Sequence, residues 1–134
     1  MVKLYIVVFI SILLVAGCAS TQNNLTESSS CWQHNTSEYR GQSDHLKLCL
    51  KNGLASLEVE HFNSINDSQS TICGQGGEVI HMTGIYYNIY LNDGGCENGR
   101  HMSRSTLSCQ IQNSELICLE TIKNYKVKFK RKNA

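Results

Sequence analysis

His45-Leu46-Lys47-Leu48-Cys49-Leu50-Lys51, then Asn52-Gly53, then Leu54-Ala55-Ser56-Leu57-Glu58-Val59-Glu60 is the stretch that decides the fold. Apolar and polar residues alternate on both sides of Asn-Gly, the dipeptide that most readily takes the positive φ angles of a two-residue hairpin turn. The spacing predicts a register as well as a hairpin. A two-residue turn sets Leu50 opposite Ala55, Leu48 opposite Leu57 and Leu46 opposite Val59. Lys47 then meets Glu58 and His45 meets Glu60 on the other face. Apolar facing apolar and basic facing acidic is the arrangement that cross-strand pairing favours.

A second hairpin follows from Leu107-Ser108-Cys109-Gln110-Ile111, a turn at Asn113-Ser114, and Leu116-Ile117-Cys118-Leu119. Centring the turn there places Ile111 opposite Leu116 and Cys109 opposite Cys118. At a non-hydrogen-bonded pair the backbones approach to about 4.5 Å, within disulfide range, so a Cys109–Cys118 bridge is expected. Its ring of ten residues stabilises by ~2.7 kcal/mol in the chain-entropy model, so it serves mainly to lock register. Cys31, Cys49, Cys73 and Cys96 remain, and shorter loops favour Cys31–Cys49 with Cys73–Cys96 among the three possible connectivities.

Elsewhere Ile80, Met82, Ile85, Tyr87, Ile89 and Leu91 recur with a period of two that changes phase at Gly84, which predicts a bulge or bend there. Tyr125-Lys126-Val127-Lys128-Phe129-Lys130 alternates again, and strands are also expected near Tyr39 and at Thr71-Ile72. The chain contains no proline, and no stretch after the first apolar run holds a helical period. These patterns predict an all-β domain, a small antiparallel barrel or sandwich of about seven or eight strands stapled by three disulfides.

The chain begins with Lys3, an uncharged run from Leu4 to Ala16, and Leu14-Val15-Ala16-Gly17-Cys18. Thirteen residues rise only about 20 Å as a helix, short of a bilayer core of roughly 30 Å, so the run reads as a signal peptide rather than a permanent span. Leu-x-Ala-Gly-Cys resembles the lipobox of bacterial lipoproteins. That resemblance implies cleavage after residue 17 and lipid on the sulfur of Cys18, which anchors the chain to a membrane. It also makes sense of cysteine parity: seven cysteines less Cys18 leave six that can pair. Ala19 and Ser20 follow Cys18 where an acidic residue would retain such a protein at the inner membrane, so the resemblance implies the outer membrane if the cell is Gram-negative, which the sequence does not establish. The expected organisation is a signal peptide over 1–17, an anchor and flexible polar tether over 18–30, and a disulfide-stabilised β-domain over 31–134.

Removing the signal leaves eleven basic and eleven acidic residues, so bulk charge selects no partner and gives no reason to expect nucleic acid. The distribution is uneven. Lys123, Lys126, Lys128, Lys130, Arg131 and Lys132 close the chain without an intervening acid. Such a strip can attract lipopolysaccharide phosphates, an anionic glycan or an acidic protein. Lysines facing outward from a terminal strand, with Tyr125, Val127 and Phe129 inward, also protect a sheet edge from aggregation.

No nucleophile elbow, HExxH, phosphate loop or EF-hand pattern occurs. The five histidines fall on different predicted elements, and no catalytic residue, metal ligand or cofactor is expected. Cys31-x-x-His34 lacks the second cysteine pair of a zinc site, and His45 beside Glu60 reads as a surface pair. The richest loop is Asp93-Gly94-Gly95-Cys96-Glu97-Asn98-Gly99-Arg100-His101. Its candidate binding residues are Asp93, Glu97, Asn98, Arg100 and His101, joined by Lys126, Lys128 and Lys130 from the basic end. The competing reading of that loop is a solvated turn whose glycines serve turn geometry. Tyr86 and Tyr90 are expected on one face and Tyr87 on the other.

The expectation for function is a lipid-anchored cell-envelope module that binds an envelope or external protein and does not catalyse a reaction. One version is an inhibitor of a hydrolase such as lysozyme. The Leu48-Cys49-Leu50-Lys51-Asn52-Gly53 hairpin on a small lipidated β-domain is similar to the membrane-bound lysozyme inhibitors. Their Ser-Gly-x-x-Tyr loop has no counterpart here, since Gly84-Ile85-Tyr86 lacks the serine, so no residue role is carried over. The alternative is a structural or assembly subunit of an envelope, secretion or pilus machine, with the strand from Tyr125 to Lys130 pairing with a partner.

Overall fold

Asn52 and Gly53 adopt φ angles of 51° and 76°, and the register that leaves this turn is the predicted one. Strand β2 (Gln42–Lys51) and strand β3 (Leu54–Asn63) pair Leu50 with Ala55, Leu48 with Leu57, Leu46 with Val59, Lys47 with Glu58 and His45 with Glu60. In this computed structural model, residues 29–37, 39–63 and 69–132 are described. Cys18, with the signal and most of the tether, lies outside the described residues.

Eight strands close into an antiparallel barrel. Around the ring the order is β3, β2, β1 (Ser30–Asn35), β10 (Tyr125–Arg131), β9 (Glu115–Glu120), β8 (Ser105–Gln112), β5 (Tyr86–Leu91) and β4 (Gln69–Thr83), with β4 returning to β3. Between β5 and β8 a small ribbon of β6 (Gly94–Cys96) and β7 (His101–Met102) hangs from β4. The closed ladder, the core and the three disulfides all lie between Ser29 and Lys132.

Asn113 and Ser114 take φ of 50° and 63°, which turns β8 into β9 and places Cys109 opposite Cys118 and Ile111 opposite Leu116. All three expected disulfides are present: Cys31–Cys49, Cys73–Cys96 and Cys109–Cys118. Each joins residues directly opposite one another in adjacent strands, and the Cα separations are 4.1, 3.8 and 4.0 Å.

Three readings of the strands change. The phase shift at Gly84 is a hairpin turn preceded by a bulge between His81 and Thr83. In consequence Val79, Tyr87, Ile89 and Leu91 face the core, whereas Ile80, Met82 and Ile85 face out. Ser30–Asn35 forms β1 although it was read as tether and unassigned chain, because Ser30, Trp32 and His34 alternate inward against β2. Finally, β10 is no edge strand: β9 covers one side along its length, and β1 pairs with its other side at Lys130 and Arg131. Lys132 N–H adds a bond to Cys31 O at 3.0 Å. Lys128 and Lys130 of β10 therefore face out from a closed wall, and Lys126 stands near the open end.

The barrel has two unlike ends. At the turn end lie the β2–β3, β4–β5 and β8–β9 turns, the start of β1 and the finish of β10. Leu48, Leu50, Ile89, Leu116 and Phe129 are buried at 0–1% exposure and fill the interior. At the open end lie the finish of β1, the start of β2, the finish of β3, the start of β4, the β6–β7 ribbon and the β9–β10 turn.

Candidate functional site

The open end holds a cavity of about 870 Å³, within the range of small-molecule sites. Its position follows from a shared change in the inward rows. Trp32 is followed by His34 on β1, Leu50, Leu48 and Leu46 by Asp44 on β2, and Ala55, Leu57 and Val59 by His61 on β3. On β9 the row runs Leu116, Cys118, Glu120, and on β10 it runs Phe129, Val127, Tyr125. Each row turns polar nearest the open end. The result is an apolar floor that includes Leu57, Val59, Leu107, Val127 and Phe129 beneath a polar wall.

Asp44 and His61 are register partners, and His61 Nδ1 lies 2.6 Å from Asp44 Oδ1. Asp44 is fixed in turn by Thr36, whose hydroxyl accepts the Asp44 N–H at 2.8 Å and whose N–H reaches Asp44 O at 2.9 Å. His34 donates from Nδ1 to Lys128 O at 2.9 Å, since a carbonyl can only accept. The Nδ1 atoms of both imidazoles are thus engaged, which leaves Nε2 as the atom open to a ligand.

Glu120 is 4% exposed, and its carboxylate accepts the Lys123 N–H, tightening the β9–β10 turn. Across this turn Tyr125 has its hydroxyl pKa raised, first by partial burial and then by the negative charges of Glu120 and Asp44. Its hydroxyl therefore stays protonated and available as a donor. Gln75, also buried, donates from Nε2 to Asn92 O at 3.1 Å and to Ser103 O at 2.7 Å. Those bonds hold both feet of the ribbon against the barrel.

The ribbon supplies Arg100, His101 and Arg104 to the cavity lining, and the turn into β10 supplies Lys123 and Lys126. Among the described residues, Arg100, Lys123 and Lys126 have no acidic side chain within ion-pair distance. Among the described lining residues, the four cations Arg100, Arg104, Lys123 and Lys126 stand against the two carboxylates Asp44 and Glu120. The described lining therefore carries an excess of positive charge, suited to an anionic group.

Of the residues proposed from sequence, Arg100, His101 and Lys126 reach this site. Asp93 stands beside it as a tie within the ribbon: it accepts the Arg104 N–H at 2.8 Å and lies 3.9 Å from both the His101 and Arg104 side chains. Glu97 and Asn98 serve the ribbon's own turn. The Glu97 carboxylate accepts the Ile72 N–H at 3.4 Å, and Asn98 Oδ1 accepts the Arg100 N–H at 3.1 Å. Gly94 is required by close approach: a Cβ there would sit 2.0 Å from Gly74 O. Lys128 lies 3.8 Å from Glu115 outside the barrel, and Lys130 is exposed near the turn end.

Sequence reasoning missed His34, Asp44, His61, Glu120 and Tyr125 as a group. The signal for one pair was present, since extending the Asn-Gly register one step past His45–Glu60 sets Asp44 against His61. Cys31 is committed to Cys49, so Cys31-x-x-His34 is a disulfide position beside a cavity histidine. Among the described residues, no three His, Cys, Asp or Glu side chains are grouped to hold a metal ion. No protein-family model, curated protein or solved structure matches the chain.

Proposed function

We propose that this protein is a lipid-anchored envelope module that binds an anionic partner at the open end of its barrel and catalyses no reaction. The observation that carries the reading is the cavity of about 870 Å³ with an apolar floor and, at its mouth, Arg100, Lys123 and Lys126, which have no ion-pair partner among the described residues. The lipobox resemblance of Leu14 to Cys18 supports the anchor, and three disulfides suit an oxidising compartment.

Inhibition of a glycan hydrolase such as lysozyme is the specific version that the charge favours. Such clefts carry a pair of catalytic carboxylates, complementary in sign to this mouth. The assembly-subunit reading draws less support, because β10 is enclosed by β9 along its length and by β1 near the turn end.

The test is calorimetric titration of the chain from Ala19 onward with lysozyme and with an acidic glycan, repeated with Arg100→Glu and Lys123→Glu combined. The reading expects binding to at least one of them, weakened about ten-fold or more by the charge reversal. Binding by the wild-type chain that ignores the reversal would place recognition elsewhere, and no binding to either would remove this version.

A further inference from the structure

We infer that the turn end of the barrel is a membrane-docking surface for an anionic lipid leaflet, so that an anchored protein presents its open end away from the bilayer. The inference rests on the lipoprotein reading of Cys18.

Three features meet at this end. The first is an apolar projection. Pairing of β3 with β4 ends at Leu54 opposite Glu78, and the β4–β5 hairpin continues beyond it to the turn at Gly84. That projecting hairpin exposes Ile80, Met82, Ile85 and Tyr86 at 43, 52, 42 and 54%. Leu54, beside the Asn52-Gly53 turn, is 65% exposed. Contiguous exposed apolar side chains at one end of a small domain mark an interaction surface.

The second feature is charge. Lys51, Lys130, Arg131 and Lys132 are exposed at the same end, with Arg131 lying 5.8 Å over the Trp32 ring. Glu115, opposite Lys130, and Glu78, opposite Leu54, also stand at this end, and Glu115 lies 3.8 Å from Lys128. The basic rim, the finish of β10 with Lys51 of β2 on the other side of β1, lies across the ring from β4 and β5. An eight-stranded barrel is roughly 15 Å wide, so both sides can rest on one plane. Apolar groups entering the interface beside lysines at headgroup level is the usual chemistry of peripheral attachment to anionic lipid.

The third feature is where the chain arrives. Strand β1 starts at Ser30 opposite Leu50, at the turn end. Twelve residues separate Cys18 from Ser30 counting Ser30 itself, a span of at most about 40 Å. An anchor at Cys18 therefore holds this end, rather than the cavity, close to lipid at high effective concentration. Weak intrinsic affinity is then enough to orient the barrel.

Vesicle flotation of the chain from Ala19 onward, which has neither signal nor lipid, isolates the surface from the anchor. Phosphatidylglycerol-rich vesicles should carry the chain up the gradient and phosphatidylcholine vesicles should not, with binding falling as salt rises. Met82→Ser combined with Ile85→Ser should reduce the bound fraction about ten-fold, and Lys130→Glu with Lys132→Glu should remove the salt dependence. Ile122→Ser, at the open end, should change nothing. All these side chains are exposed, and circular dichroism checks that each barrel is intact.

Absence of flotation, or equal loss with Ile122→Ser, would overturn the inference. So would concentration-dependent dimerisation in sedimentation that Met82→Ser and Ile85→Ser abolish, because the patch would then belong to a second copy. Mass spectrometry of Cys18 from cells judges the lipoprotein reading separately, so failure of one is distinguishable from failure of the other.

Discussion

Within the same barrel wall, Leu48, Leu50 and Leu116 at the turn end are wholly out of water, whereas Asp44, His61 and Tyr125 at the open end surround a cavity. The strands are common to both ends, so backbone pairing does not make the difference. The inward rows do, by changing from apolar to polar towards the open end on β1, β2, β3, β9 and β10. Closure of the ladder is thus tolerant of a hollow half, provided the other half supplies the packed volume. Stability is expected to be concentrated at the turn end and recognition at the open end, and that division is open to attack from either side.

The largest expected effect is on packing. Leu50→Ala, at 0% exposure, should cost about 2–5 kcal/mol by urea denaturation. His61→Ala, which breaks a pair with side chains 43 and 39% exposed, should cost under about 1 kcal/mol. Equal costs would erase the distinction between the halves.

Next in size is the staple of the ribbon. Replacing Cys73 and Cys96 together by Ala should cost about 3 kcal/mol in thermal unfolding. It should also weaken binding at the open end, since this bridge ties β6 to β4 and so places Arg100 and Arg104. The Cys109→Ala and Cys118→Ala pair should lower stability comparably and leave binding intact.

A smaller effect belongs to the turn. Gly53→Ala, at φ 76°, should cost about 1–2 kcal/mol with an unchanged denaturant slope. The smallest concerns Tyr125. Its folded pKa is raised above 10.0, so the folded state holds a proton that the unfolded state releases first. The associated stability is intact below the unfolded value and is lost as pH rises through the folded one. Tyr125→Phe should flatten the alkaline fall in melting temperature.

Local patterning made most of the fold legible. Asn52-Gly53 fixed a register across ten paired positions, and Cys109 with Cys118 anchored a second hairpin whose turn is less distinctive. Ring closure was not legible, because nothing in Tyr125–Lys130 says that Trp32 and Gln33 will meet Arg131 and Lys130. Reading β10 as an edge followed from that gap. That Ile80, Met82 and Ile85 are exposed was not legible, because apolar residues at period two look alike on either face. The cavity was hidden for a related reason: its polar members are single terminal positions on five strands, and only the three-dimensional ring brings them together. Arg100, His101 and Lys126 were found because they sit in runs of unusual composition.

The most direct test of the division between ends uses a photoreactive side chain at Ile122, 74% exposed at the open end, or at Met82, 52% exposed at the turn end, in the full-length chain in cells. The account predicts a discrete protein adduct from position 122 that disappears when Arg100 and Lys123 are reversed to Glu, and lipid adducts from position 82. A discrete protein adduct from position 82 with none from position 122 would contradict it.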